Sequence, residues 1–167
     1  MPPNLEPPLP EIVVGIAELK ESKNPQSVIV TYALGSCLGV TCYDPLSHVG
    51  GMLHAMLSDS KAGHQGVLTR ATYLDTGVAD LIQRVIDLGG NSGVLQFKIF
   101  GGAQTIQASD YFSVGTKNVR MMENLVAQLR LQVKTWEVGG CQNRTIRLYL
   151  NDGRVKLRTP GQPETFL

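Results

Sequence analysis

The sequence predicts an α+β fold: a layered α/β/β sandwich of mostly antiparallel strands, with two main helices on one side. Three observations carry that expectation. Runs rich in β-branched residues, broken by turn chemistry, recur between Ile12 and Leu57 and again between Val94 and Arg158. Two stretches alone carry helical spacing. The four early runs also follow one another too closely for parallel crossovers, which favours antiparallel neighbours. A chain of 167 residues is long enough for one domain with a real core.

Five of the first ten residues are proline, so residues 1–10 read as an extended, mobile tail with few backbone donors. A single domain is expected over 11–160, followed by a tail over 161–167. IVVGIAEL, VIVTYA, LGVTCY and GGMLHAML are the four early strands, with Asp44-Pro45 as a turn starter between the third and fourth. After the polar loop SDSKAGHQG the period changes. Val67, Ala71, Leu74, Val78, Leu81, Ile82, Val85 and Leu88 follow helical spacing until Gly89-Gly90 stops them. VLQFKIF is the next strand, ending at Gly101-Gly102. A second helix runs from about Thr116 to Leu131, with Val119, Met122, Leu125, Val126 and Leu129 on one face. The last third reads as strand VKTWEV, loop GGCQNR, strand TIRLYL, the hairpin signal Asn151-Asp152-Gly153, and strand RVKLR.

Composition narrows the function classes. Hydrophobic residues make up 43% and charged residues 17%, with a net charge of +1, which is ordinary globular protein. No basic run supplies a nucleic-acid footprint. No apolar stretch approaches the roughly 20 residues that span a bilayer, so membrane insertion is not expected. The N-terminus lacks the pattern of a secretory signal, and three cysteines without C-x-x-C or zinc-like spacing suit a reducing cytoplasm.

Cys37, in TYALGSC, is the first candidate for chemistry. Free cysteine is usually a small buried hydrophobe, and spacing alone favours that reading. Against it, Leu34-Gly35-Ser36 interrupts the strand alternation, so Cys37 falls where the backbone turns and its amides are exposed. Gly35 and Ser36 are small enough to admit a substrate carbonyl, and a cysteine at such a turn can lend its own N–H to an oxyanion. His54 is the second candidate. Alternation puts Met52, His54 and Met56 on one face of their strand. If LGVTCY and GGMLHAML form a hairpin, His54 returns towards Cys37, where an imidazole would raise the thiolate fraction. Thr31 could then accept from a ring N–H and orient the imidazole, although a β-branched strand residue is the default reading. His48 in a turn, His64 in a loop, Cys42 within a strand and Cys141 in a loop are weaker candidates. A Cys-x5-Arg loop would need arginine where Tyr43 stands, and no P-loop, dinucleotide or nucleophile-elbow motif is present. Asp59, Asp75 and Asp80 form no metal-like cluster.

TYALGSC and HAMLSDS, in this order and spacing, resemble the CheD family of chemoreceptor glutamine deamidases. The likeness continues through TYLDTGV, KIFGGAQ and VGTKNV and covers the chain from Ile12 to about Arg158. It implies Cys37 as nucleophile, His54 as general base and acid, and Thr31 as the residue that orients His54. Gly35 and Ser36 would help form the oxyanion site. It further implies a shallow groove for a receptor helix, no metal or organic cofactor, cytoplasmic location, and hydrolysis of glutamyl methyl esters as a related activity. The alternative within the resemblance is a regulatory binding protein for a CheC-type phosphatase or a receptor, with little turnover. A thiol redox protein using Cys37 is a blander third class. The loop GGCQNR departs from the family pattern, so Cys141 and Asn143 receive no role.

Overall fold

In the computed structural model, which describes residues 8–63, 66, 68–104 and 113–167, the chain changes sheets at its first turn. β1 (Glu11–Val13) and β2 (Glu18–Ser22) are separate strands in different sheets, where the sequence suggested one continuous run. The break is local. Gly15 N–H donates to Glu18 Oε2 at 2.8 Å, and Ala17 takes a left-handed φ of 58°. An alanine gives no sequence signal for that conformation, because non-glycine residues seldom adopt it.

β3 (Val28–Leu34) then joins the first sheet, whereas β4 (Leu38–Asp44) and β5 (Val49–Ala55) form a hairpin in the second. A single 3-10 turn (Arg70–Thr72) leads into α1 (Leu74–Asp87). β6 (Gln96–Gly101), α2 (Val114–Leu129), β7 (Gln132–Val138), β8 (Arg144–Tyr149), β9 (Val155–Arg158) and β10 (Thr165–Phe166) complete the order. Ser113 caps α2 by accepting from Thr116 N–H, and Arg130 ends it in a left-handed conformation. α2 lies within two residues of its periodic stretch at both ends, and α1 ends one residue before Leu88, but α1 begins at Leu74, well after Val67, with the 3-10 turn ahead of it. Val67 and His64, read at the sequence level as a helix-face residue and a loop residue, lie outside the described residues, as do residues 1–7 of the proline-rich segment.

The first sheet has the order β1-β3-β8-β9-β10 and the second β2-β5-β4-β6-β7. Among the described strands β1 runs parallel to β3, and β6 to β7; the other pairings are antiparallel. Every residue of β4 and β5 is buried, because the second sheet is the middle layer. One of its faces packs on the helices through Leu38, Val40, Leu53, Ala55, Leu81 and Met122. The other packs on the first sheet through Met52, Phe100, Ile29, Leu34 and Ile146. This is the expected α/β/β sandwich with both helices on one side.

Candidate active site

The β4–β5 register sets His54 opposite Gly39 and Leu38 opposite Ala55. Side chains alternate along a strand, so Cys37, Gly39 and His54 share the face turned towards the first sheet. Cys37 accordingly packs against the inter-sheet cluster. It lies one residue past the end of the ladder and diagonal to His54, and no hydrogen bond joins the two side chains. Gly39 puts no side chain between them, and a Cβ there would crowd Leu34 and Ile146.

His54 is 1% exposed. Its Nδ1 lies 2.7 Å from Thr31 Oγ1, across the inter-sheet space. The same hydroxyl donates to the Val14 carbonyl, also at 2.7 Å. A hydroxyl has one proton to give. With that proton on Val14 O, Thr31 Oγ1 must accept from Nδ1–H, which leaves Nε2 as the ring's lone-pair nitrogen. Nε2 is buried and has no hydrogen-bond partner among the described residues. Burial pushes the imidazole pKa down to about 4, so the neutral ring dominates at pH 7.

The sheet-switching turn anchors this arrangement at both ends. Val14 O takes the Thr31 hydroxyl, and Ala17 N–H donates to His54 O at 2.9 Å. Beyond Thr31, the β3–β8 register shifts before Leu34, and Ala33 adopts a φ of 53°. A bulge of this kind bends a strand and re-aims the chain beyond it, here the Gly35-Ser36-Cys37 turn.

All three carbonyls of that turn are held from behind. Gly35 O accepts from Ala103 N–H at 2.8 Å, and Cys37 O from Gly102 N–H at 2.9 Å. Ser36 O accepts from Asn118 Nδ2 at 2.9 Å. In a trans peptide the N–H points opposite to the preceding carbonyl, so the amides of Ser36 and Cys37 face away from these anchors. Ser36 is exposed; Gly35 and Cys37 are half-buried. Burial pushes the Cys37 thiol above its ordinary pKa, with its own backbone N–H pulling the other way. Thiol and imidazole are therefore both neutral near pH 7.

The Gly101-Gly102 pair closes β6 beside the Cys37 turn. Gly101 has a φ of 107°, and a Cβ there would overlap the Cys37 carbonyl oxygen, so the pair serves close backbone approach. An open cavity of about 320 Å³ adjoins the turn, lined by Gly35, Ser36, Ala103, Gln104, Cys141 and Asn143 among others. A larger one, about 400 Å³, lies on the first sheet among Glu11, Arg147, Lys156 and Arg158, away from the Cys37 turn.

The weaker candidates separate cleanly. Cys42 is buried, and burial followed by the nearby Asp44 charge pushes its pKa up to about 12. Cys141 is exposed. His48 Nδ1 lies 2.9 Å from the Tyr43 hydroxyl. Asp80 pairs with Arg70 and Asp75 accepts from Ser60, and no metal-like cluster occurs among the described residues. Sequence reasoning missed Asn118, which is fully buried and also donates to Met56 O at 3.1 Å. Its signal was a polar residue at the helical spacing Gly115, Asn118, Met122, Leu125, the buried stripe of α2.

Comparison with known proteins identifies the family. Residues 56–159 match the CheD family model, described as CheD chemotactic sensory transduction. A relative from Pyrococcus abyssi, described as "Probable chemoreceptor glutamine deamidase CheD", is 40% identical over 151 residues, spanning 89% of this chain and 91% of its own. Relatives from Desulforamulus reducens and Geobacillus kaustophilus carry the same description. They are 37% and 39% identical, span 92% and 90% of this chain, and are each covered over 93% of their own length. Matched by the family model over more than half its length and by such relatives nearly end to end, the chain belongs to the CheD family.

Proposed function

We propose that this protein deamidates glutamines of chemoreceptors to glutamate, with Cys37 as nucleophile, His54 as general base and acid, and Thr31 as the residue that orients His54. The description of its relatives supports the substrate and reaction class. The observation that carries the residue assignment is the Val14–Thr31–His54 chain of hydrogen bonds, which leaves Nε2 as a fixed, unpartnered base.

The reaction follows from those positions. Nε2 takes the Cys37 proton as sulfur attacks the carboxamide carbon, and Nδ1–H stays on Thr31 while the imidazolium forms. The amides of Ser36 and Cys37, turned away from their anchored carbonyls, receive the oxyanion, with Gly35 leaving room for the substrate. The C–N bond then breaks, Nε2–H protonates the leaving ammonia, and a thioester remains on Cys37. Water, deprotonated by His54, attacks the thioester carbon; glutamate forms, and the thiolate recovers its proton. A glutamyl methyl ester would react in the same way with methanol as leaving group. Each step uses protein side chains and water, so the chemistry calls for no cofactor.

The reacting partner is a receptor helix presenting its glutamine to the shallow surface at the Gly35–Cys37 turn. A CheC-type phosphatase is the further partner we propose. We place the protein in the cytoplasm, where receptor signalling helices lie, as a single domain over 11–160 with a tail at 1–10; residues 161–167, expected as a second tail, instead add β10 to the first sheet. No helix among the described residues is long and apolar enough to cross a membrane. Incubation with a receptor fragment should release ammonia and convert specific glutamines to glutamate, read by peptide mass spectrometry. Cys37→Ala should abolish the conversion. Full activity in Cys37→Ala would refute the assignment. Absence of activity in both proteins, with tight binding of a CheC-like partner, would favour the regulatory reading.

A further inference from the structure

We propose that Asn118 is a positioning residue that holds Cys37 and His54 at their working separation, an inference that rests on reading those two as the reacting pair. The β4–β5 ladder ends at Leu38 and Ala55. Past that point the strands part: Met56 and Leu57 N–H groups donate to Thr72 O, while Gly35 and Cys37 turn towards Ala103 and Gly102. The split opens the turn to substrate, and it also removes the hydrogen bonds that would fix its width.

Asn118 replaces them. Its Nδ2 donates to Ser36 O at 2.9 Å and to Met56 O at 3.1 Å, one carbonyl from each lip of the split. One lip carries Cys37 as its next residue. The other carries His54 two residues earlier. Two hydrogens on one planar nitrogen fix both carbonyls relative to each other, which a hydroxyl with one hydrogen cannot do. The orientation of the amide is determined, because the flipped form would set Oδ1 against two carbonyl oxygens.

A purely structural role fits this residue poorly. Asn118 is fully buried on a stripe with Gly115, Met122 and Leu125, and its Oδ1 has no partner among the described residues. An unpaired buried acceptor costs stability, so the stripe retains asparagine at a penalty. The latch at the split offsets that penalty with geometry.

The test compares the full chain with Asn118→Leu, which keeps side-chain bulk without the donor, and with Asn118→Ala. Val78→Ala, a buried truncation on α1, is the control for lost stability. Three readouts are needed: kcat and KM for a receptor fragment, the pH profile of Cys37 alkylation by iodoacetamide followed on the Cys37 peptide, and the urea midpoint. We expect Asn118→Leu to lower kcat about 100-fold with KM nearly unchanged, the scale of a misplacement of about 1 Å. Its alkylation profile should move to that of His54→Ala, and adding Asn118→Leu to His54→Ala should change the profile no further. If leucine prevents folding, Asn118→Ala must give the same pattern. A folded variant whose kcat and alkylation profile match Val78→Ala would overturn the proposal. Wild-type Cys37 alkylation that is indifferent to His54→Ala would overturn the reading of the pair itself, and the role of Asn118 with it.

Discussion

Thr31 shows how much of the site a single residue can decide. Its hydroxyl has one hydrogen, and the Val14 carbonyl takes it, so the His54 tautomer is determined by a residue that touches no substrate. Thr31→Val keeps the shape, removes the acceptor for Nδ1–H and leaves Val14 O unpaired in a fully buried place. We expect a loss of about 1–3 kcal/mol in urea unfolding and a fall in kcat of about 100-fold. Thr31→Ser should recover most of both. An active, equally stable Thr31→Val enzyme would remove threonine from the mechanism. The Thr31–His54 contact was anticipated as a way to orient the ring, whereas the roles proposed for Cys37, His54 and Thr31 came from the family resemblance, since spacing alone favoured a buried cysteine. Val14 was not legible, since a backbone carbonyl has no side-chain signature. Nor was Asn118, whose two acceptors lie 82 and 62 residues away in sequence.

At the scale of elements, the β4–β5 hairpin and both helices could be read from periodicity and turn residues. So could the β8–β9 hairpin, where Gly153 takes a φ of 74°. The division of IVVGIAEL could not, because its apolar pattern continues across the point where the chain leaves one sheet for the other. The β3 bulge was hidden for a similar reason: Ala33 is an unmarked residue in a marked conformation. Such features need long-range pairing to exist, and local sequence carries no record of it. The KIFGGA stretch illustrates the opposite case, a motif visible in the sequence whose purpose lies in backbone packing. Its glycines allow the end of β6 to pass directly behind Cys37, where Gly102 N–H holds the Cys37 carbonyl. Gly101→Ala would add left-handed strain and push that carbonyl, with an expected destabilisation of about 1–3 kcal/mol and a fall in kcat beyond what stability explains. Ala33→Gly removes left-handed strain and adds chain entropy of similar size, so it should stay within about 1 kcal/mol of the parent. Thermal unfolding and steady-state turnover of the two variants side by side would check both expectations.

For the molecule as a whole, the layered α/β/β sandwich was expected from the sequence, and β4 and β5 prove to lie in its buried middle layer. Burying His54 in that layer ties the catalytic arrangement to acid stability. The unfolded chain takes up the histidine proton near pH 6.5, whereas the folded protein resists it until about pH 4, because burial penalises the charged ring. Between those values the unfolded state binds more protons, so stability rises with pH across the window and is lost as pH falls through it. A depression of this size corresponds to about 3 kcal/mol of stability at neutral pH that has gone by pH 4. Asp44 adds a second loss at lower pH. Burial raises its pKa, but hydrogen bonds from Asn91, Leu46 and Ser47 outweigh that and hold it below the usual carboxylate value. Its contribution is therefore present above about pH 3.8 and disappears below it. Urea unfolding at a series of pH values from 7.5 to 4.5, within the first window, should show a falling midpoint in the parent and a much flatter profile in His54→Gln, which cannot take up the proton. A parent whose stability is level across that range would mean that His54 is protonated as readily in the fold as in the open chain, and the depression of its pKa by burial would have to be given up.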